Sequence, residues 1–295
     1  MEKHLLVTIS DDPRMFYGLN FLTRFFTAKD TLRLTLLHIA AGAAAVWPEE
    51  MNYESIARRD GRARDIEEKG RAALEAAEKM LLAGGFDKSR LHTKLVFGGF
   101  SRNKIILHEG EAGLYDAVVL GQRGYDTLRD LLDHSLSLDL LRGAFPFPLW
   151  ICRLPKFGRK NVLVAVDGSE PSLRIADHAG FILSRGPGHD IVLFHVAGPK
   201  SAAPGPEFFD ECRELIAKAG FPFDRIRTKT VVAAGVPAAI LAEAESGRYA
   251  AVALGRTGIG KSGDKDKGAA PKAFFGAVSN DIFHNLAGAV MWVSR

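Results

Sequence analysis

The sequence has few of the features that mark a secreted, membrane-spanning or metal-dependent protein. It contains two cysteines in 295 residues, Cys152 and Cys212, and their spacing suits no metal site. We therefore expect both thiols to be buried and reduced, as in a cytoplasmic protein. The longest uncharged apolar stretch, residues 231–242, is too short for a membrane span and contains Gly235 and Pro237. Acidic residues follow the first apolar run directly, which is not the pattern of a signal peptide.

Neither half of the chain carries a surplus of one charge. Residues 1–153 hold 21 Lys or Arg and 21 Asp or Glu, and residues 161–295 hold 15 and 14. The remaining three basic residues, Lys156, Arg159 and Lys160, account for most of the net charge of +4. Because no stripe of Lys and Arg is interleaved with aromatic residues, we expect no nucleic-acid binding. The sequence also lacks Gly-x-Ser-x-Gly, His-Glu-x-x-His and Cys-x-x-Cys motifs.

Four segments of the first half recur in the same order in the second half, which indicates an internal duplication. The matches are HLLVTISDD at His4 with NVLVAVDGS at Asn161, TLLHIA at Thr35 with VLFHVA at Val192, YDAVVLGQRG at Tyr115 with YAAVALGRTG at Tyr249, and PLWICR with AVMWVSR. The first two pairs have an offset of 157 residues and the third has an offset of 134. We therefore predict domains at residues 1–153 and 161–295, joined by the linker LPKFGRK at residues 154–160.

Short apolar runs rich in Val, Ile and Leu alternate with helical patterns in both halves. Five such runs per half predict strands buried on both faces, as in a parallel sheet that is covered by helices. They are LLVTIS, LRLTLLHI, LHTKLVF, DAVVLG and PLWICR, then VLVAV, IVLFHV, IRTKTVV, AAVALG and AVMWV. Helical spacing and end signals predict helices at residues 63–85, 170–184 and 235–247. The pattern predicts an α/β fold of two tandem doubly wound, five-stranded parallel-sheet domains.

In an open α/β sheet, ligands bind beyond the carboxyl ends of the strands, near the point where the strand order reverses. In the second half these ends hold Asp167, Val196 and a glycine-rich segment from Gly255 to Gly258. A glycine-rich turn that enters a helix presents backbone N–H groups to phosphate. A carboxylate after the first strand can accept hydrogen bonds from a ribose. These features together indicate a mononucleotide site.

The segments VLVAVDGSEPS, VLFHV and ALGRTG…GAVSNDIFHNLAGAVMWVSR resemble the universal stress protein family, and the likeness covers nearly the whole chain. The resemblance implies a Rossmann-like fold related to the adenine nucleotide alpha hydrolases. Family members that bind ATP share a signature of Gly, two residues, Gly, nine residues, Gly and then Ser or Thr. The resemblance implies that ATP or AMP, with Mg²⁺, binds at Asp167, Val196, Gly255, Gly258, Gly276 and Ser279.

The sequence departs from this signature in both halves. In the second half 17 residues separate Gly258 from Gly276, and Ala277 stands where Ser or Thr is expected. In the first half Ser10 replaces the aspartate, and His134 replaces the third glycine, where a side chain obstructs phosphate. We therefore predict a degenerate site in the first half and the working site in the second half.

Residues 255–262, GRTGIGKS, also match the P-loop pattern, with Lys261 and Ser262 in the Lys and Ser/Thr positions. A P-loop needs a helix directly after these residues, whereas a segment rich in Gly, Asp and Lys follows here, and then Pro271. A solvated surface loop is the favoured interpretation, and contact of Lys261 or a neighbour with a bound phosphate stays open.

Structural roles compete with binding roles at several of the selected positions. His38 and His195 lie at equivalent strand ends, where hydrogen bonding to a neighbouring loop is favoured over a catalytic role. Asp167 could be an ordinary turn residue, since Asp and Gly favour turns. Gly255 and Gly258 could serve only strand-to-helix geometry. The combination of these residues favours a binding site.

The sequence favours an adenine-nucleotide-binding regulatory protein of the stress response over an enzyme. No residue is a convincing general base for the γ-phosphate, so any hydrolysis is expected to be slow. The rival interpretation is a nucleotide-free interaction scaffold, which Ser10, His134, Ala277 and the insert at residues 259–275 support. As in tandem members of the family, we expect an intramolecular pseudo-dimer, with PLWICR and AVMWVSR as the joining edge strands. A regulatory protein partner and a homodimer stay open.

Overall fold

Ten strands form one continuous sheet in the computed structural model, which describes residues 2–41, 53–98, 101–121, 136–143, 145–200, 204–258 and 275–294. The first half contributes β1 (Lys3–Ile9), β2 (Leu32–Ala41), β3 (Leu91–Gly98), β4 (Ala117–Gly121) and β5 (Leu149–Cys152). The second half contributes β6 (Val162–Ala165), β7 (Ile191–Ala197), β8 (Ile226–Val232), β9 (Ala251–Gly255) and β10 (Val290–Ser294). Each of the ten predicted apolar runs forms one of these strands.

Helices connect the strands within each half. In the described ranges they are α1 (Tyr17–Phe25), α2 (Tyr53–Ala83), α3 (Arg102–Ala112), α4 (Leu136–Arg142), α5 (Glu170–Leu183), α6 (Asp210–Lys218), α7 (Val236–Ser246) and α8 (Ala277–Asn285). The three predicted helices correspond to α2, α5 and α7. Helix α2 begins ten residues before the prediction, because good helix formers such as Ala, Arg and Glu continue through that stretch. Ser169 caps α5 by accepting a hydrogen bond from the Ser172 N–H at 3.4 Å.

Both halves have the same strand order. The sheet runs β3-β2-β1-β4-β5-β10-β9-β6-β7-β8, and all neighbours within a half are parallel. The strand order therefore reverses between β1 and β4 in the first half and between β6 and β9 in the second. This confirms the predicted fold class, a Rossmann-like α/β fold with a mostly parallel sheet and alternating helices. The carboxyl ends of β6 and β9 are where such a fold binds ligands.

Strands β5 and β10 join the two sets of five strands. They pair antiparallel with Trp150 opposite Trp292, so two apolar sheet edges cover each other. Their indole rings stack with centroids 4.3 Å apart, and Trp150 Nε1 donates a hydrogen bond to His178 Nε2 at 3.0 Å. We call the contact surface between residues 3–152 and residues 162–294 the seam. Because the joining pair is antiparallel, the strands of the two halves have their carboxyl ends at opposite edges of the sheet.

Each face of the sheet carries one apolar core that continues across the seam. Helices α1, α2, α5 and α6 cover one face, and helices α3, α4, α7 and α8 cover the other. Buried Cys152 and Cys212 belong to the first core and are unpaired, as the sequence predicted. Burial raises the pKa of the Cys212 thiol to about 11 and also raises the pKa of Cys152. No helix in the described ranges is both long enough and apolar enough to cross a membrane.

Residues 154–160, the predicted linker, form neither helix nor strand. Two of the basic side chains here contact the same carboxylate. Lys156 Nζ lies 2.8 Å from Glu245 Oε1, and Arg159 Nη2 lies 2.7 Å from Glu245 Oε2. These ion pairs attach residues 154–160 to the last turn of α7. Much of the charge surplus noted in the sequence therefore serves an internal contact.

Candidate functional site

A cavity lies at the carboxyl ends of β6, β7 and β9, next to α7 and α8. Its volume is about 310 Å³, at the lower end of the range for small-molecule sites. All six residues that the sequence selected line this cavity: Asp167, Val196, Gly255, Gly258, Gly276 and Ser279. They come from separate segments of the chain, which the strand order brings together where it reverses between β6 and β9.

Much of the cavity lining is apolar. Phe194 and Val196 come from β7, Leu254 comes from β9, and Val236 and Ile240 come from the first turns of α7. Val236 and Ile240 are four residues apart and therefore lie on the same side of the helix. The structure places Val196 within β7, and not in the loop that follows it. An apolar lining of this kind suits a flat heteroaromatic ring.

Asp167 follows β6 and makes the turn into α5. Its Oδ1 accepts a hydrogen bond from the Ser169 N–H at 3.0 Å, so the carboxylate has the turn role that the sequence left open. A Cβ atom placed on Gly258 would lie 2.6 Å from Asp167 Oδ2. Glycine at position 258 therefore allows the backbone to approach the second carboxylate oxygen beside the cavity.

Close packing constrains two of the selected glycines, Gly255 more tightly than Gly276. A Cβ atom on Gly255 would lie 2.7 Å from Pro171 Cβ and 2.9 Å from the Pro171 carbonyl carbon. Strand β9 can therefore contact the first turn of α5 only with glycine at this position. A Cβ atom on Gly276 would lie 3.1 Å from Arg256 O, the same atom that accepts a hydrogen bond from the Gly276 N–H at 3.0 Å. This bond connects the glycine-rich segment to the start of α8.

Helix α8 begins beside the cavity. Gly276 is its N-cap, and no side chain in the described part of the chain caps this end. Its first helical hydrogen bond runs from the Asn280 N–H to Gly276 O, at 2.9 Å. The N–H groups of Ala277, Val278 and Ser279 therefore have no partner inside the helix, and all three residues line the cavity. The partial positive charge of the helix terminus thus favours an anion here.

Ser279 has a different role from the one that the family signature implies. Its side chain is 3% exposed, and its hydroxyl donates a hydrogen bond to Gly255 O at 2.9 Å. The hydroxyl proton therefore fastens α8 to the end of β9, whereas the family resemblance led us to expect Ser279 among the phosphate-binding residues. What Ser279 offers to an anion in the cavity is its backbone N–H.

His38 and His195 have the structural role that the sequence favoured. His195 Nδ1 lies 2.8 Å from Val166 O, and His38 Nδ1 lies 3.1 Å from Ile9 O. Because a carbonyl oxygen can only accept, Nδ1 is the donor in each of these two bonds. In each half, the histidine near the end of the second strand is thereby bonded to the end of the first strand. These hydrogen bonds support the interpretation of both residues as strand-end histidines, although His195 also lines the cavity.

The equivalent turn of the first half is built with different side chains. Ser10 Oγ accepts a hydrogen bond from the Asp12 N–H at 3.3 Å, which reproduces the turn that Asp167 makes. Asp11 Oδ1 lies 3.1 Å from His38 Nε2, so a carboxylate contacts the strand-end histidine in this half. The first half therefore keeps the turn without a carboxylate at the position of Asp167.

Several residues singled out from the sequence lie outside the described residues. They are His134, Lys261, Ser262 and the insert up to residue 274. The obstruction expected from His134, the P-loop-like segment and the surface-loop interpretation of the insert therefore stay predictions.

Within the described lining, Asp167 is the one Asp, Glu, Lys or Arg side chain. No group of three or more His, Cys, Asp or Glu side chains in the described ranges could hold a metal ion. In this part of the site, attraction of an anion therefore rests on backbone N–H groups and on the α8 terminus.

Sequence reasoning did not select the residues of α7 that complete the cavity. Their signal was present, since Val236 and Ile240 have helical spacing in an apolar segment. The sequence does not show which side of α7 faces the strand ends, because that depends on how the helix crosses the sheet.

Known structures share this architecture. A universal stress protein from Archaeoglobus fulgidus DSM 4304 matches with a TM-score of 0.64 and 17% identity, covering 99% of this chain and 98% of that one. A protein from Pseudomonas aeruginosa UCBPP-PA14, described as a universal stress protein, matches with a TM-score of 0.51 and 16% identity, covering 99% and 92%. At these identities the likeness establishes the fold. No curated protein matches the chain.

The sequence of the second half matches a known family directly. The model of the universal stress protein family matches residues 158–294, the part of the chain that contains all six selected residues. Residues 158–294, a little under half of the chain, therefore match the universal stress protein family.

Proposed function

We propose that the second half binds an adenine nucleotide, and that the protein acts as a nucleotide-dependent regulator of the stress response rather than as an enzyme. One observation carries this proposal. In the described part of the site, an apolar lining, one carboxylate and the N-terminus of a helix surround the same cavity at the point where the strand order reverses. These groups match the base, the ribose and the phosphate of a nucleotide in turn.

Each part of the nucleotide has a partner in this arrangement. The adenine ring would lie against the apolar side chains around Val196, and the ribose hydroxyls would donate to Asp167. The phosphates would accept hydrogen bonds from the backbone N–H groups of Gly258, Ala277 and Val278. Gly255 and Gly276 would act by close packing, and Ser279 would hold α8 in place while offering its own N–H.

The cavity also fits a magnesium ion that arrives with the nucleotide. Mg²⁺ usually keeps several waters and is held by one or two carboxylates together with substrate phosphates. Because Asp167, the one carboxylate of the described lining, is assigned to the ribose, the ion would be held mainly by phosphate oxygens and by water. The ion would neutralise phosphate charge.

The geometry supports binding more than hydrolysis. A base for an attacking water would have to be Asp167 or His195 among the described lining residues. Asp167 Oδ1 is used by the turn, and His195 Nδ1 is used by Val166 O. Because the bond to Val166 O does not use His195 Nε2, we propose slow hydrolysis rather than none.

The wider organisation is part of the same proposal. We propose that residues 1–153 and 161–295 are two domains of one family that act as an intramolecular pseudo-dimer in the cytoplasm. The pairing of β5 with β10 supports this arrangement. A regulatory protein partner and a homodimer of the whole chain are further proposals.

Calorimetric titration with ATP and with AMP tests the nucleotide site. Asp167→Asn keeps an oxygen for the turn but removes the charge, and should weaken binding by about tenfold or more because hydrogen bonds to a charged group are strong. Ser10→Ala removes the equivalent turn acceptor in the first half and is the matched control, with unchanged affinity expected. No heat with either nucleotide, or equal affinities of Asp167→Asn and wild type, would refute the site.

A nucleotide-free scaffold is the second candidate function. The observation in its favour is that the Ser279 hydroxyl proton is already donated to Gly255 O, and that Ala277 offers no hydroxyl. Thermal denaturation with ATP, with AMP and with buffer alone separates the two functions. A ligand that binds the native state raises the melting temperature, whereas a scaffold shows no change.

A further inference from the structure

Helix α8 carries the N–H groups that line the cavity, and the first half contacts Arg256 beside its start and Phe283 near its end. The halves meet along β5 and β10, so their side chains can pair across the seam. Two arginine–phenylalanine pairs cross the seam on the face of the sheet that α8 covers. One lies beside the start of α8 and the other lies on its last turns.

The contact at the start of α8 runs through Arg256. This side chain comes from the second half and is 7% exposed, and its guanidinium lies 5.4 Å from the ring centroid of Phe145 in the first half. The backbone of the same residue donates to Ser294 O at 2.8 Å and accepts from the Gly276 N–H at 3.0 Å. Arg256 therefore connects the N-cap of α8 to the end of β10 and to the first half.

At the other end of α8, the arginine comes from the first half and the phenylalanine comes from the second half. Arg153 follows β5 of the first half, and its guanidinium lies 4.2 Å from the ring centroid of Phe283 in α8. Phe283 is 1% exposed, so the arginine covers a core side chain of the helix. A cation over a desolvated aromatic face is a stabilising contact whose geometry depends on the ring.

We propose that Phe145 and Arg153 of the first half are positioning residues for the nucleotide site of the second half, acting through Arg256 and α8. This inference rests on the proposed function. The first half, whose own turn lacks the aspartate, then serves to fix the direction in which the α8 N–H groups point. A nucleotide bound at these groups would in turn tighten the seam on this face of the sheet.

Three variants test the proposal by calorimetry with AMP and ATP. Phe145→Leu removes the ring, Arg256→Met removes the charge, and the double variant completes a cycle. Each single variant should weaken binding by about fivefold or more. Phe145→Leu should cause little further loss when Arg256→Met is already present, because the contact between the two side chains is then already absent. Arg153→Met is a milder variant at a half-buried position and should also weaken binding.

Phe25→Leu is the matched control. Phe25 is 4% exposed and lies at the seam on the opposite face of the sheet, where it contacts His189 and Trp292. This variant should lower stability without changing nucleotide affinity. An equal loss of affinity in Phe25→Leu and Phe145→Leu would overturn the proposal, as would additive losses in the cycle or unchanged affinity in Phe145→Leu.

Hydrogen exchange without nucleotide gives a second readout that does not depend on the proposed function. The helical amides of α8, from Asn280 to Asn285, should exchange about fivefold faster in Phe145→Leu and Arg153→Met than in wild type. They should be unchanged in Phe25→Leu. If wild type binds neither nucleotide, the proposed function fails, and this measurement alone decides: faster exchange supports the positioning role, and unchanged exchange overturns it.

Discussion

The two stacked tryptophans at the centre of the sheet should differ sharply in their contribution to stability. Both are fully buried, and their rings contact each other. Trp150 Nε1 donates to His178 Nε2, whereas Trp292 Nε1 is buried and has no hydrogen-bond partner among the described residues. Substitution by phenylalanine removes the N–H group and the same ring volume at each position.

The magnitude follows from the cost of unsatisfied polar groups. Trp150→Phe loses a hydrogen bond and leaves the His178 acceptor buried without a donor, at a cost of about 1–3 kcal/mol. Trp292→Phe removes an unsatisfied donor, which offsets part of the loss of ring volume. Because the volume term is similar in both variants, the free energy of unfolding should be about 2–4 kcal/mol lower for Trp150→Phe than for Trp292→Phe.

Urea denaturation followed by far-UV circular dichroism measures this difference without relying on tryptophan fluorescence. The unfolding midpoint of Trp292→Phe should lie clearly above that of Trp150→Phe, at similar slopes. Equal midpoints would show that the Trp150–His178 bond contributes nothing measurable. A lower midpoint for Trp292→Phe would show that the Trp292 N–H group has a partner in solution.

Three further predictions concern acid, glycine and thiol chemistry. Burial lowers the pKa of His178 from 6.5 to about 3, so the unfolded chain takes up this proton first and the free energy of unfolding should fall as pH drops from 6.5 towards 3. Each pH unit in this range lowers the free energy of unfolding by up to about 1.4 kcal/mol. Between pH 7 and pH 5, urea titrations should show a smaller decrease in His178→Gln than in wild type. Equal decreases would contradict the assignment of this pH dependence to His178. Gly255→Ala should destabilise the protein by about 1–3 kcal/mol because its Cβ meets α5, whereas Gly61→Ala, with open space around it in α2, should stabilise it slightly in the same denaturation assay. Cys152 and Cys212 should not react with a thiol reagent in the native state, and rapid native labelling would contradict their burial.

The strands were predictable because burial on both faces leaves an unambiguous apolar pattern. All ten runs are strands, and the match between residues 4–12 and 161–169 indicated equivalent strands in the two halves. The extent of α2 was underestimated, since a polar surface helix has weaker periodicity than a buried one. The sequence predicted that β5 and β10 pair only because two apolar sheet edges need to be covered. Its antiparallel direction and the stacking of Trp150 on Trp292 depend on how the two sheets approach each other.

For the candidate site, the sequence predicted which residues line the cavity but not what each of them does. All six line one cavity, because turns at the carboxyl ends of parallel strands meet where the strand order reverses. The roles of two of them could not be read from the sequence. Gly255 contacts Pro171 closely, and its carbonyl oxygen accepts a hydrogen bond from Ser279. Both contacts exist only after β9, α5 and α8 have packed together.

The sequence by itself determined the repeated α/β architecture and the strand ends at which a ligand can bind, because apolar periodicity and glycine-rich turns are local properties of the chain. Only the tertiary structure decided which atoms face the cavity and which are used internally. It also decided that Phe145 of the first half contacts Arg256 and that Arg153 contacts Phe283 of α8. Such contacts join residues far apart in the chain, and their geometry is set by the seam.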